Sequence, residues 1–531
     1  MSRFNLIDEK WIPVRFPDGN RDELGISEVL LRSREIAVIE DPSPLVVAGL
    51  HRFLLAVLYR ALEGPTDIEK AKDLFRDGLP SERITAYLNE WRDRFWLFDE
   101  TYPFYQVPDY EPKEEMGEKQ WKAWTALSAE HNTNNSKVLF DHTDNTNAGS
   151  IPSSAAARWL IACQTFALAR GKSDLGYSES APSANALMAL PLGRTLQDTL
   201  ILSLVPENRD VLATDRAVWE REPETLASVK AGKERMPTGL VDLYTWTSRS
   251  IKLHLEGDGS TLARLADAAG VRCELGDVTD PMLSYRINEK FGKLPNRLAY
   301  RDRGLWRDFD SLLPDLGNLS PRVLDHARFL TRTHPARVPR AVIVLGQAAD
   351  QAKIRFWRLE RFTLPEGLLD DSTVRTELRE LLVEADATAA TIADGLRKVA
   401  RLTLARGNRD LQDDKWKAGT WIPGDVSNFV GQREHEDTPR ALTRYWIALE
   451  STFHLLLSEF TEARDSDSIR SQWLIAVRNA ARIAWDAYES SIVRHGAWTI
   501  RAVVQAEEPI RRMMSRLDEE IVNLTPQTEG A

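Results

Sequence analysis

Apolar residues recur at helical spacing in two parts of the chain. Near the N-terminus, LVVAGLHRFLLAVLYRAL predicts a strong helix. From about residue 371 a longer pattern begins, and eight apolar positions of its first segment share one helical face: Val374, Leu378, Leu382, Ala385, Ala389, Ile392, Leu396 and Val399. Three more amphipathic segments follow, with Pro509 predicting a kink or a break in the last. Four such helices in succession predict a four-helix bundle.

Two other parts of the chain have strand character. FNLIDEKWIPVRF predicts two short strands around a turn, and residues 240–365 are rich in strand patterns. Within that region AVIVLG and AKIRFWRLERFTL predict a hairpin joined by GQAADQA, which places Asp350 and Gln351 at an exposed tip. A chain of 531 residues is too long for a single hydrophobic core, so we expect two or three domains.

A polar stretch interrupts the first half of the chain. AEHNTNNSKVLFDHTDNTNAGSIP contains one apolar island, Val138-Leu139-Phe140, and its composition predicts a long mobile loop. A helix is predicted from about Ser153. It ends in ALARGKSDLGY, where we expect Gly171-Lys172-Ser173 to form a turn.

Gly171-Lys172-Ser173 matches the closing half of a phosphate-binding P-loop. That loop needs a glycine five positions earlier, where this chain has Phe166, and it follows a buried strand. The preceding AARWLIACQTFAL predicts an apolar helix instead. A nucleotide-dependent enzyme that uses this turn is therefore an alternative with little structural context behind it.

Composition and charge narrow the functional classes to which the protein could belong. The sequence is 43% hydrophobic and 28% charged, as in ordinary globular proteins, and its N-terminus does not resemble a signal peptide, so we expect a cytoplasmic protein that does not bind a membrane. Cys163 and Cys273 lie far apart, and the histidines form no ligand pair, so we expect no metal, no cofactor and no catalytic residue. A net charge of −11 argues against a protein that coats nucleic acid by itself, but it allows a local basic surface on a subunit of a complex.

One basic segment has the composition of a nucleic-acid-binding surface. Cations and aromatics alternate between residues 286 and 307, as in surfaces that contact phosphates and stack on bases. The cations are Arg286, Lys290, Lys293, Arg297, Arg301, Arg303 and Arg307, and the aromatics are Tyr285, Phe291, Tyr300 and Trp306. A solvated surface on a plain helical scaffold protein would explain the same composition.

Taken in order, these segments resemble the CasA family, the large subunit of the type I-E CRISPR surveillance complex, Cascade. The resemblance rests on FNLIDEKWIPV, YPFYQ, the polar loop ending in KVLFDH, the ARGKS turn, DPMLSYR, GQAADQA and the helical C-terminus, and it covers nearly the whole chain. It implies an α+β protein with a large N-terminal mixed α/β domain of unusual fold over 1–365 and a C-terminal four-helix bundle over 371–525.

The resemblance also implies a function. Such a subunit is not an enzyme; it lies near the 5′ handle of the guide RNA (crRNA) and beside the Cascade backbone and small subunits. It recognises the protospacer-adjacent motif (PAM) in double-stranded target DNA through the minor groove, helps to open the duplex for guide pairing, and docks the helicase-nuclease effector. Because the minor groove mainly separates A·T from G·C, several motifs should be tolerated.

Individual roles follow from matched motifs. The resemblance places Asn135, Lys137 and Phe140 in a mobile loop near the guide handle, and it makes Gly171, Lys172 and Ser173 the loop that approaches the minor groove. Asp350 and Gln351 match a wedge that is pushed into the duplex beyond the motif. Arg286 and Lys290 are both candidates for the family's basic finger. The turn at 171–173 is poorer in glycine than the family pattern, which bears on its base preference.

Overall fold

The structure, a computed structural model, describes most of the chain. The described residues are 4–128, 130–131, 148–169, 171–173, 175–231, 234–256, 261–275, 278–287, 295–299, 304–313, 318–332, 337, 341–350, 353–363, 365, 368, 371–405, 441–461, 463–492 and 496–524. They divide into two compact units. Unit 1 comprises Met1–Leu305 and Ser311–Thr363, and unit 2 comprises Trp306–Asp310 and Leu364–Ala531.

Unit 1 mixes short helices with small sheets. Its helices are α1 (Ile26–Leu31), α2 (Pro44–Leu62), α3 (Ile68–Asp77), α4 (Ser81–Glu90), α5 (Ser153–Phe166), α6 (Leu196–Ser203), α7 (Arg209–Thr214), α8 (Leu226–Lys230), α9 (Leu240–Tyr244) and α10 (Arg322–Thr331). Short 3₁₀ helices cover Arg92–Arg94, Trp124–Leu127, Val218–Glu220 and Leu305–Leu312.

The strands of unit 1 are mostly short. They are β1 (Ile12–Arg15), β2 (Arg21–Leu24), β3 (Val38–Ile39), β4 (Glu114–Glu115), β5 (Glu118–Lys119), β6 (Lys122–Ala123), β7 (Ile151–Pro152), β8 (Gly171–Ser173), β9 (Gly176–Ser178), β10 (Met188–Leu192), β11 (Glu234–Arg235), β12 (Arg249–Glu256), β13 (Thr261–Ala269), β14 (Arg272–Cys273), β15 (Tyr285–Ile287), β16 (Pro295–Arg297), β17 (Asn318–Leu319), β18 (Ala341–Asp350) and β19 (Lys353–Phe362). Three sheets bear on function, with strand orders β12-β13-β6, β10-β18-β19 and β16-β15-β17.

Helix α2 is the central element of unit 1. It starts where the Ser43 hydroxyl accepts a hydrogen bond from the Val46 N–H (3.3 Å), with Pro44 at its first position, as helix N-termini prefer. It ends at Glu63, which adopts a left-handed conformation. By length and composition alone α2 could cross a membrane, but 94% of its most apolar window is buried inside the protein, as in the core helix of a globular domain.

The N-terminal segment differs from its prediction. FNLI does not form a strand: Asn5 makes one isolated bridge to Trp96, and its side-chain carbonyl accepts the N–H of Ile7 (3.0 Å) to form a turn. The first strand begins at Ile12 and pairs with β2. A local asparagine turn here outcompetes strand pairing.

Unit 2 contains four long helices: α11 (Ser372–Ala405), α12 (Ala441–Leu457), α13 (Ser466–Ile492) and α14 (Ala497–Leu524). All eight positions predicted to share one face of α11 are buried, which confirms the periodicity argument. Pro509 lies inside the continuous helix α14. Helix α11 contacts the other three, and α13 packs on both α12 and α14.

An aromatic cluster fills part of the core of unit 2. Trp306, from the 3₁₀ helix Leu305–Leu312, is 2% exposed. Its ring centroid lies 5.2 Å from that of Phe453 and 6.2 Å from that of Trp473. The short segment 306–310 therefore belongs to the helical unit although unit 1 residues flank it in sequence.

Candidate nucleic-acid interface

The segment that follows α5 folds into a small two-stranded hairpin, here called the 171–178 hairpin. Its cross-strand pairs are Gly171 with Ser178, Lys172 with Tyr177, and Ser173 with Gly176. Gly171 has φ +77° and Gly176 has φ +117°, in the region that residues with a Cβ rarely adopt. Glycine is therefore required at both positions by the local backbone.

One face of this hairpin is attached to the body of unit 1. The N–H of Ala269, the last residue of β13, donates to the Ser173 hydroxyl (3.1 Å), which in turn donates to the Gly176 carbonyl (2.9 Å). Leu175 is 8% exposed and packs into a core cluster with the alanines of β13. The Ser173 side chain thus holds the hairpin in place.

The opposite face is directed outwards. Side chains alternate between the two faces of a β-ribbon, so Lys172 and Tyr177 share the face away from Ser173. Lys172 is exposed, and the Tyr177 side chain is 74% exposed. Tyr177 was not among the site residues predicted from the sequence, although the spacing of the glycines around Lys172 and Tyr177 indicates a hairpin.

The structure corrects the predicted turn at residues 171–173. Helix α5 ends at Phe166, and Gly171-Lys172-Ser173 is an extended strand that pairs with its neighbour. A P-loop requires a strand before the loop and a helix after it. Here the order is a helix followed by a hairpin, so the structural context of a P-loop is absent.

Helix α5 is fixed to the sheet beneath the hairpin. The side-chain amide of Gln164 donates to the Arg249 carbonyl (3.0 Å), and its carbonyl accepts the Arg249 N–H (2.8 Å). Arg249 also forms a fully buried ion pair with Asp267 on β13 (2.8 Å). Burial disfavours the guanidinium charge, but Asp267 more than offsets this effect and raises the pKa of Arg249.

A longer hairpin carries the predicted wedge. Strands β18 and β19 pair antiparallel along ten residues each, and Asp350 lies opposite Lys353 at the far end. The hairpin predicted around GQAADQA is confirmed, with strands that extend further than expected. Gln351, the candidate wedge residue, lies outside the described residues.

The two hairpins are connected through one buried side chain. The amide of Gln347, on β18, is fully buried and donates to the carbonyl of Phe166 (2.6 Å), the last residue of α5. Gln347 lies three positions before Asp350, and Phe166 lies five before Gly171. The structure therefore brings together the chain segments that lead into two of the predicted sites.

The third predicted site begins at β15. Arg286 lies in this central strand, opposite Asn296 on β16 and Asn318 on β17; Lys290 lies outside the described residues. The Met282 carbonyl, just before β15, accepts the N–H of Ala189 on β10 (2.8 Å). Because β10 pairs with β18, this strand is linked to the sheet that carries the wedge hairpin.

A buried charged group fixes the turn that leads into β15. Asp280 forms an ion pair with Arg52 of α2, and both side chains are 2% exposed. The Asp280 carboxylate also accepts the Met282 N–H (2.9 Å), and the Asp280 N–H donates to the Tyr285 hydroxyl (2.7 Å). A buried pair of this kind holds backbone in place because leaving either charge alone would be costly.

Most of the predicted mobile loop lies outside the described residues. Asn135, Lys137 and Phe140 all lie outside the described residues. On its N-terminal side, the Ser128 hydroxyl accepts the N–H groups of Glu130 (3.2 Å) and His131 (3.1 Å). Burial raises the pKa of Glu130 to about 7, with the nearby Asp41 carboxylate adding to the effect and a hydrogen bond from Ser43 opposing it.

The part of the chain that the structure describes was also compared with what a metal site requires. Within it, no three His, Cys, Asp or Glu side chains lie where they could hold a metal ion. Both cysteines are free thiols, and burial raises the pKa of Cys273 to about 12.

Comparison with known proteins places the chain in a family. The sequence profile of CRISPR-associated protein Cse1 matches residues 5–484. The CRISPR-associated protein CasA/Cse1 of Thermus thermophilus is 35% identical over 532 residues, covering 98% of this chain and 99% of that protein. The solved structure of Thermus thermophilus CasA (Cse1) has a TM-score of 0.78 at 31% identity, covering 97% of this chain and 100% of its own.

A chain of a solved CRISPR RNA-guided surveillance complex has the same fold, with a TM-score of 0.68 at 21% identity over 98% of this chain and 100% of its own. The profile and the Thermus relative each cover most of the sequence. This chain therefore belongs to the CRISPR-associated CasA/Cse1 family.

Proposed function

We propose that this chain is the large, non-enzymatic subunit of a type I-E CRISPR surveillance complex, Cascade. In this role it recognises the protospacer-adjacent motif of double-stranded target DNA through the minor groove and helps to open the duplex for guide pairing. It also contacts the 5′ handle of the guide RNA, packs beside the backbone and small subunits, and docks the helicase-nuclease. It works in the cytoplasm without a cofactor or metal.

One observation carries the proposal. Gln347 joins β18 to the end of α5, so the segments leading to the 171–178 hairpin and to the wedge hairpin start from a shared hydrogen bond. A protein that reads a short motif and separates the adjacent base pairs needs a reading element and a wedge at a fixed spacing. A buried, hydrogen-bonded amide supplies that fixed spacing.

The hairpin suits the minor groove. Gly171 and Gly176 have no atom within 4 Å of the position that a Cβ would occupy, so the wall of a groove can approach the backbone there. Lys172 offers an ammonium donor to the acceptors on the floor of the groove, and every base pair carries such acceptors. Loose discrimination among motifs follows from this chemistry.

The wedge acts at the tip of the β18–β19 hairpin. In the proposal Asp350 and Gln351 are pushed between base pairs beyond the motif, at a cost of a few kcal/mol of unstacking per step. Pairing with the guide offsets this cost, because strand exchange is nearly balanced in free energy. Arg286 and Lys290 would then contact phosphates beside the opened step.

Two further parts of the proposal concern organisation. We assign residues 1–365 to an N-terminal mixed α/β domain and 371–525 to a C-terminal four-helix bundle, supported by the mutual contacts of α11, α12, α13 and α14. Asn135, Lys137 and Phe140 would contact the guide handle. The net charge of −11 is compatible with this role, since the guide and the partner subunits would supply most of the nucleic-acid binding.

The test uses the chain assembled with its guide RNA and partner subunits. Linear duplexes carry a matched protospacer and a randomised flanking triplet, and bound sequences are counted. We expect selective enrichment of a few triplets by the wild-type complex, and a changed set for Lys172→Ala. Lys70→Ala, which removes an exposed lysine from α3, is the control and should leave the set unchanged.

Opening of the duplex is tested separately. Gln351→Ala should slow binding to a fully paired linear target while sparing a target whose protospacer is already unpaired. Equal behaviour of Gln351→Ala and wild type on both substrates would remove the wedge from the proposal. Failure of the wild-type complex to prefer any flanking triplet would remove the motif-reading function itself.

A further inference from the structure

The 171–178 hairpin presents a specific pair of side chains to its surroundings. Ser173 is turned inward to Ala269, the Ser178 hydroxyl donates to the Gly171 carbonyl (3.2 Å), and Leu175 is buried. Among the described residues of the hairpin, the outward side chains are those of Lys172 and Tyr177, which lie directly opposite each other. A cation and an aromatic ring thus occupy adjacent positions on one exposed ribbon.

The exposure of the Tyr177 ring indicates that a binding partner covers it. Tyrosine rings are usually at least half covered in a folded protein, because their apolar area is large. Tyr177 is 74% exposed on a hairpin that is attached to β13 by the hydrogen bond from the Ala269 N–H to Ser173 and by the buried Leu175. The hairpin is therefore attached to the body of unit 1, and it directs the Tyr177 ring outwards.

We propose that Tyr177 is a further DNA-contacting residue, whose ring packs against the sugars and base edges of the motif duplex beside Lys172. The inference rests on the proposed function and adds a DNA-contacting residue that the sequence did not indicate. Lys172 contributes charge, and Tyr177 contributes apolar contact that does not depend on the base. Ser173 then has a positioning role and does not touch DNA.

Duplex DNA fits this surface better than a protein partner does. The lysine is exposed next to the ring, whereas the centres of protein interfaces are depleted in lysine. The glycines on either side leave open space at the backbone, which suits a groove wall that must come close. A positive charge beside an aromatic ring is the usual combination at nucleic-acid surfaces.

The experiment measures affinity of the assembled complex for a linear duplex that carries the matched protospacer and the flanking triplet most enriched by wild type. Tyr177→Ala should bind at least about fivefold more weakly, the lower end of what loss of a base-stacking ring produces. Tyr177→Phe, which keeps the ring, should stay within about twofold of wild type. Phe329→Ala, which removes another partly exposed ring of unit 1, is the control and should have no effect.

Salt dependence separates the two side chains. Lys172→Met should lower the slope of log affinity against log salt concentration by about one, since one cation that displaces counterions from the DNA is lost. Tyr177→Ala should leave the slope unchanged. On a single-stranded target that lacks the motif duplex, Tyr177→Ala and wild type should bind equally.

Each contrary result has a distinct meaning. If Tyr177→Ala binds the motif duplex like wild type while Lys172→Met is weakened, the inference on Tyr177 is overturned and the proposed function stands. Equal losses on the duplex and on the single strand would show that Tyr177 acts on assembly and not on the motif, which also overturns it. A wild-type complex without any triplet preference would overturn the inference and the proposed function together.

Discussion

Replacing Glu130 by glutamine should stabilise the protein above neutral pH and leave it nearly unchanged in acid. Glu130 lies beside the N-terminus of α2, where Ser43 hydrogen-bonds its carboxyl group and Asp41 lies nearby. Its Oε1 atom is buried and has no hydrogen-bond partner among the described residues. A buried carboxylate oxygen without a donor favours the protonated form.

The size of the effect follows from the pKa. It is raised from 4.5 to about 7, chiefly by burial. The stabilising contribution of neutral Glu130 is complete below pH 4.5 and is lost as the pH rises through about 7, because the unfolded chain ionises first. At about 1.4 kcal/mol for each pKa unit the loss is about 3 kcal/mol, or about 2 kcal/mol after allowing for screening by water on the exposed side.

Calorimetric unfolding from pH 5 to pH 8.5 measures this difference. A gain of about 2 kcal/mol corresponds to an increase of about 3–5 °C in the midpoint of the affected transition at pH 8.5, shrinking towards zero at pH 5. Glu118→Gln, at an exposed hairpin position, is the control and should show no such trend. A Glu130→Gln midpoint shift that is independent of pH, or that is larger at pH 5, would contradict a raised pKa of Glu130 in the folded protein.

Three other predictions concern buried groups of unit 1. Asp267→Asn leaves the guanidinium of Arg249 buried without its counter-charge and should destabilise unit 1 by about 3–5 kcal/mol. Urea unfolding should show this as a lower midpoint. A change in unfolding free energy below about 1 kcal/mol would contradict the prediction. Gly270→Ala places a Cβ 2.5 Å from the carbonyl carbon of Ser248, so we expect a loss of about 3 kcal/mol in unfolding free energy or a failure to fold. The loss would be seen as a lower yield of soluble protein. A wild-type yield together with a wild-type unfolding midpoint would contradict it. Burial lowers the pKa of His51 to about 4, so its neutral form stabilises the fold above pH 6.5, and that contribution is lost as the pH falls through about 4. In acid unfolding, His51→Gln should therefore gain stability relative to wild type between pH 6.5 and 4. Parallel stability curves for the two proteins would contradict this prediction.

Local periodicity was sufficient to predict much of the fold. The apolar face of α11 could be assigned residue by residue because helical spacing places i, i+3 and i+4 together whatever the tertiary context. Helix α5 begins at Ser153, as predicted. The β18–β19 hairpin was also predicted, since AVIVLG and AKIRFWRLERFTL have strand character and are separated by only a few residues in the sequence. Each of these elements depends on contacts between residues that are close in sequence.

The 171–178 hairpin could not be derived in the same way. Its strands are only three residues long, too short for a two-residue period to stand out. It exists because Leu175 is buried against β13 and because the Ala269 N–H, about a hundred residues away, binds Ser173. One sequence feature that indicates a long-range contact is Gln347. A polar residue at a buried position of an apolar strand usually has a specific hydrogen-bond partner.

Polar side chains that face inward share a common role at the base of three of the predicted sites. Gln347 binds the end of α5, Ser173 binds the end of β13, and Asp280 binds the turn before β15. None of these three is available to a ligand, and each fixes backbone that leads to exposed residues. A reader of a short motif needs this arrangement, because contacts misplaced by about 1 Å lose most of their selectivity. The specificity of such a surface therefore depends on the inward-facing polar residues that set its spacing as much as on the exposed residues that would touch DNA.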